Sequence, residues 1–210
     1  MTFHPAFARV CALLLLLMAC LAGWPAWAAG SAKEVVTTPH VRAELVAHAP
    51  DGVSPGATVW VGLQLAHQPE WHTYWKNAGD SGLPTALTWT LPAGVEAGDI
   101  AWPLPRKIPI GTLANYGYEG TVLLPVPLTI TPDFKMPLMA SSTSALDIQL
   151  KASWLVCRKE CIPEEGEFAL SLPLHSSTAF NTSAFAQARA AQPQALATEP
   201  KSSVQVVGNS

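Results

Sequence analysis

From residue 40 onward the chain alternates between apolar and polar positions. In "HVRAELVAHA" (40–49), Val41, Ala43, Leu45 and Ala47 fall on one side, with Arg42, Glu44 and Val46 on the other. "ATVWVGLQLAH" (57–67) sets Val59, Val61, Leu63 and Leu65 together. "LTWTL" (87–91) and "VLLPVPLTI" (122–130) continue the series. In "ALDIQLKASWLV" (145–156), Leu146, Ile148, Leu150, Ala152 and Trp154 alternate with Asp147, Gln149, Lys151 and Ser153, and "EFALSL" (167–172) closes it. A period of two sends successive side chains to opposite faces of an extended strand, so each segment predicts a strand with one buried face. Seven or eight such strands in about 145 residues predict an all-β antiparallel sandwich. Trp60, Trp89 and Trp154 lie within these patterns and are expected in the core. Exposed tryptophan platforms could bind sugar instead, but no polar ligand pattern accompanies them. Pro125 and Pro127 withhold two ladder donors on one side, which predicts an edge strand.

Two stretches break the alternation. Residues 92–120 are rich in Pro and Gly and contain Trp102, Tyr116 and Tyr118. A connection of that length in a compact domain is expected to carry function, and the aromatic residues argue against disorder. From Ser176 the chain turns rich in Ala, Ser, Gln and Thr. "TSAFAQARAAQ" (182–192) predicts a short helix capped by Ser183, and the final residues read as a flexible tail. The expected organisation is therefore a leader over 1–28, one domain over 29–175, and a linker or tail over 176–210.

The leader follows from "VCALLLLLMACLAG" behind Arg9, with a small-x-small site at "AWA" (Ala26, Trp27, Ala28). A basic start, a short apolar run and such a site form a secretory signal, too short to be read as a membrane span. A competing reading takes "LMAC" as a lipoprotein box with Cys20 lipidated, although Met18 fits it poorly. Without Arg9 the charge is 11 basic against 15 acidic residues, 11 − 15 = −4. With charged residues at 13% and no basic run, a nucleic-acid surface is excluded. Export to the periplasm means an oxidising compartment, where disulfides form and persist. Cys11 and Cys20 leave with the leader, so the mature chain keeps Cys157 and Cys161.

Those two cysteines sit in "WLVCRKECIPEE" (154–165). Four residues of extended chain span about 13 Å, whereas a disulfide needs α-carbons roughly 4.4–6.8 Å apart. A bridged pair therefore requires the chain to turn back, as a helical turn or as a tight loop between the flanking strands. Three readings stay open. A structural disulfide across so short a ring would add only about 2 kcal/mol. A reactive pair is the second reading, with Arg158 and Lys159 favouring a thiolate and Glu160, Glu164, Glu165 and Glu167 opposing it. A metal clip, copper(I) above all, is the third, and His72 is the one further ligand in view.

The run "WLVC...CIPEE", together with "NYGYEG...LLPV", "WHTYWKNAGDSGLPT" and "WPLPRKIPIGTLANYGYEG", resembles the amino-terminal periplasmic domain of the DsbD-type thiol:disulfide interchange reductases, in their ScsB-like branch. The likeness spans roughly residues 35–173. It implies an immunoglobulin-like antiparallel β-sandwich with a long capping loop. It implies that Cys161 attacks and forms a mixed disulfide, which Cys157 resolves. By position the cap maps to "LANYGYEG" (113–120), with Asn115, Tyr116 and Tyr118 as cap or supporting residues. Apart from the resemblance, His72 and Tyr74 alternate with Trp71, Thr73 and Trp75 and are read either as supporting residues of the site or as simply lining a strand. The implied partners are thioredoxin-fold periplasmic proteins, of disulfide isomerase or cytochrome c maturation type, and a membrane-embedded thiol reductase as electron donor; copper-stress proteins are partners in some branches. No dissociable cofactor is implied. Two departures stand out. The best-known members have five residues between the cysteines where this chain has three, and Asn115 replaces the aromatic that precedes their Tyr-Gly step.

Overall fold

The alternating segments become strands, and their apolar sides meet in one core. The computed structural model describes residues 33–136 and 144–194. The leader, with Cys11 and Cys20, and the last sixteen positions, 195–210, lie outside the described residues. The strands are β1 (Val35–Thr37), β2 (Val41–His48), β3 (Thr58–His67), β4 (His72–Gly79), β5 (Ala86–Thr90), β6 (Val95–Ala97), β7 (Arg106–Ile110), β8 (Leu113–Glu119), β9 (Thr121–Ile130), β10 (Ala145–Cys157) and β11 (Cys161–Pro173). One helix, α1 (Thr182–Ala190), follows them.

Two antiparallel sheets form an immunoglobulin-like sandwich. One runs β1-β2-β3-β9-β6; the other runs β11-β10-β4-β8-β7, with β5 also paired to β10. Leu63, Leu65, Leu124 and Val126 from the first sheet and Ile148, Ala152 and Val156 from the second have no exposed surface. Each such Leu, Ile or Val side chain contributes about 1.5–3 kcal/mol by leaving water. The inward set of β10 is the one the alternation predicts, from Leu146 to Trp154.

Four expectations need correction. Residues 92–120 are not one long loop, because β6, β7 and β8 lie within them. These strands are short or interrupted by Gly and Pro, so no clean period of two marks them. Second, β9 is not the edge strand. Its outer side is covered by β6 and then by residues 98–101, whose Gly98 and Ala101 donate to the carbonyls of Pro127 and Pro125 at 2.9 and 2.8 Å. The neighbour there only donates, so the missing proline donors cost nothing. Third, Trp60 lies outside the inter-sheet core. It packs with Val46, Leu123, Phe185 and Ala188 where α1 covers the outer face of the first sheet. The same helix explains why Val46 is apolar on the otherwise polar side of β2. Fourth, the cap position of α1 is Asn181 rather than Ser183. Residues 176–194 thus pack onto the sandwich, tied also by the Ala49–Thr178 bridge.

Candidate functional site

The cysteines close the tip of the longest hairpin. β10 and β11 pair in unbroken register from Ala145↔Pro173 to Cys157↔Cys161. Only Arg158, Lys159 and Glu160 remain for the turn, in which the Arg158 N–H donates to the Glu160 carbonyl at 3.0 Å. The cysteines therefore face each other across two strands, with α-carbons 4.1 Å apart, and form a disulfide. Of the two ways to turn back, the chain uses the tight loop and not the helical turn.

Parity puts the pair on the outer face of the second sheet, because the inward positions of β10 are the even ones. An outward residue at a hairpin tip would ordinarily be wet, and Cys161 is exposed. Cys157 is only 1% exposed. The difference comes from β4, whose first residue, His72, pairs with Cys157. His72 and Tyr74 share the outer face with the cysteines and are both buried. The Tyr74 hydroxyl lies 3.6 Å from Cys161 Sγ and 3.4 Å from His72 Nε2.

Burial fixes the protonation of these neighbours. It raises the pKa of Tyr74, so the phenol keeps its proton at neutral pH. It lowers the pKa of His72, only partly offset by the nearby Glu119 carboxylate. The site thus sets a neutral hydroxyl donor against the exposed sulfur and a neutral imidazole behind it. Such a donor favours the thiolate form of Cys161 over the thiol once the disulfide opens.

The structure brings His72 and Tyr74 to the pair, but not Tyr116 or Tyr118. Residues 113–119 are a central strand rather than a cap, and Tyr116 and Tyr118 project from the face opposite Cys157. Tyr118 is part of the core, donating its hydroxyl to the Pro103 carbonyl at 2.7 Å. Asn115 acts indirectly. Its Oδ1 accepts from both the N–H and the hydroxyl of Ser81 at 3.0 Å. That bond holds the 80–85 segment, where a Cβ on Gly82 would come within 2.4 Å of the Tyr74 ring. The segment lying over Tyr74 is therefore 80–85. Nothing in "DSGLPT" read alone would have marked it.

A second histidine, His67, bridges β3 to β4. The Gly120 carbonyl can only accept, so Nδ1 donates to it at 2.7 Å, leaving Nε2 to accept from the Thr73 hydroxyl at 3.0 Å. Desolvation lowers the pKa of His67 below the usual 6.5, against opposing contributions from Gly120 and nearby carboxylates. With His67 and His72 both depressed, the unfolded chain binds more protons than the folded one below 6.5. Their contribution is complete above pH 6.5 and is lost as pH falls below it. The melting temperature is accordingly expected to drop between pH 7.5 and 5.5. A His67→Gln variant, which can keep both hydrogen bonds, should show a smaller drop. An equal drop in parent and variant would remove His67 from the account.

Among the described residues no group of three or more His, Cys, Asp or Glu side chains converges as a metal set. What the site holds is a disulfide at an exposed tip, with a buried hydroxyl and imidazole beside it. On an immunoglobulin-like sandwich, this defines a thiol:disulfide interchange domain. Residues 42–173 match the family described as "Thiol:disulfide interchange protein DsbD, N-terminal", and the chain belongs to that family. Among solved structures it is similar to the N-terminal periplasmic domain of ScsB from Proteus mirabilis, with 21% identity and a TM-score of 0.54. The match covers 76% of this chain and 58% of that one, and at such identity the likeness concerns the fold. No curated protein matches in sequence.

Proposed function

We propose that this domain is a periplasmic electron relay that hands reducing equivalents to partner proteins through Cys157 and Cys161. The observation that carries the reading is the asymmetry of the pair: Cys161 is exposed beside the Tyr74 hydroxyl, whereas Cys157 is buried. In the dithiol form, the Cys161 thiolate attacks a sulfur of the partner's disulfide. A mixed disulfide forms, and the partner's other sulfur leaves as a thiolate. The Cys157 thiolate then attacks Cys161 Sγ and expels the second partner thiolate. Two electrons have passed to the partner, and the Cys157–Cys161 disulfide is restored. Re-reduction runs the same exchange in reverse, with a thioredoxin-like donor attached to a membrane reductase. Thioredoxin-fold proteins of disulfide isomerase or cytochrome c maturation type are the proposed acceptors.

The reduction potential tests this reading against a structural bridge. An inert disulfide sits below about −300 mV, whereas a working relay should sit well above it. Equilibration of the domain with a thiol redox buffer, read by alkylation of free Cys161, gives the value. A potential below that limit, together with no reduction by a thioredoxin-like donor, would overturn the proposal.

A further inference from the structure

The turn between the cysteines is tied down by groups that play no part in the exchange chemistry above. Among the described residues, Glu70 is the one residue other than glycine with positive φ, at 69°. A side chain in that conformation is uncommon and costs energy, so it calls for a reason. Its carboxylate accepts from Arg158, the first residue of the turn, at 3.0 Å. The Arg158 guanidinium also stands over the ring of Trp71, 5.5 Å from its centroid. Trp71 directly precedes His72, the residue that pairs with Cys157.

The other arm of the hairpin is fastened to the same place. The Trp71 and His40 rings lie with centroids 3.9 Å apart. His40 Nδ1 is 2.7 Å from Glu164 Oε1, and Glu164 lies on β11, three residues beyond Cys161. The second Glu164 oxygen accepts from Thr38 Oγ1 at 2.5 Å and from Trp154 Nε1 at 3.2 Å. Each cysteine is thus held by a chain of contacts that meets at Trp71, and neither chain runs through the disulfide itself.

We propose that Glu70, Trp71 and Arg158 form a clamp that keeps Cys157 aligned on Cys161 after the disulfide opens, and so sets the rate at which the mixed disulfide is resolved. The inference rests on the exchange reading above and names positioning residues for its second step. That step is intramolecular, and its rate depends on how well the attacking sulfur is aligned. A loosened tip lets the Cys161 adduct swing away from Cys157. The clamp's contacts are individually weak, since the Glu70 and Arg158 side chains are 75% and 45% exposed. Their removal should therefore slow resolution by about fivefold rather than abolish it.

The test is stopped-flow reaction of the fully reduced domain with dithionitrobenzoate. Attack by Cys161 releases one thionitrobenzoate and leaves the other on Cys161. Attack by Cys157 on Cys161 Sγ then releases the second. Arg158→Ala and Glu70→Gly remove charges of opposite sign from exposed side chains, and glycine relieves the strained φ. The clamp predicts that both variants slow the second release about fivefold. A purely electrostatic influence on the thiols would move the two variants in opposite directions. That result, or an unchanged second phase in both, would overturn the clamp while leaving the exchange reading in place. A parent protein that never gives the second release would instead overturn the exchange reading, and the clamp with it.

Discussion

A Cys157→Ala variant is expected to accumulate as a covalent complex with a thioredoxin-fold partner, and a Cys161→Ala variant is not. The reason is the geometry of the tip. Cys161 is exposed and lies within reach of the Tyr74 hydroxyl, so it can meet a partner's sulfur. Cys157 is 1% exposed beside β4 and can reach only Cys161. Without Cys157 the mixed disulfide must wait for an external thiol. Well-oriented intramolecular groups act at effective concentrations far above any millimolar reagent, so the adduct should live on the order of 1000-fold longer or more. Non-reducing electrophoresis after mixing the reduced variant with an oxidised partner would show the adduct, and mass spectrometry would place the bond on Cys161. An adduct from Cys161→Ala but not from Cys157→Ala would reverse the assigned roles.

The second large effect is expected far from any sulfur. Gly117 in β8 pairs with Tyr74 in β4, and the strands approach so closely that a Cβ there would lie 2.1 Å from the Thr73 carbonyl oxygen. The obstacle is backbone, which cannot rotate aside as a side chain can. Gly117→Ala should therefore force β4 away from β8 and cost about 3 kcal/mol. In a protein of this size, that lowers the melting temperature by roughly 6–12 °C. Because β4 carries His72 and Tyr74, the Cys157 thiol of the reduced variant should also become easier to alkylate. Gly120→Ala is the control: its φ is 66° but nothing lies within 4 Å, so only backbone strain of about 1–2 kcal/mol applies. Equal melting temperatures for the two variants would show that the close approach carries no special penalty.

The expectations that succeeded and failed divide along physical lines. β2, β10 and β11 were legible because wet and dry positions alternate over most of their length, which writes a period of two into the residues; β3 and β9 were legible from a continuous dry face, although α1 covers part of the other face. β4 carries the alternation of His72 and Tyr74 with Trp71, Thr73 and Trp75 but no contrast of wet and dry faces, because His72, Thr73 and Tyr74 are buried on both faces. Its polar side chains are satisfied by partners distant in sequence, as Thr73 is by His67. The tyrosines of "NYGYEG" were misplaced for a related reason. Their positions next to Gly-rich chain suit a cap as well as a strand, and only pairing with β4 and β7 selects the strand. Glu164 looked like one more surface charge in an acidic run, yet His40, Thr38 and Trp154 converge on it inside the sandwich.

Residue order alone dictated a β-sandwich, the sides of its main strands and a cysteine pair that had to lie on a turn. Those properties depend on local geometry: the two-residue repeat of a strand and the reach of four residues. The unequal exposure of Cys157 and Cys161, the hydroxyl beside Cys161 and the fastening of the hairpin tip arise only in three dimensions. Each depends on the start of β4 pairing with the end of β10, about eighty residues away in the chain. No local preference encodes that pairing, because it joins two strands of one sheet that are far apart in the chain.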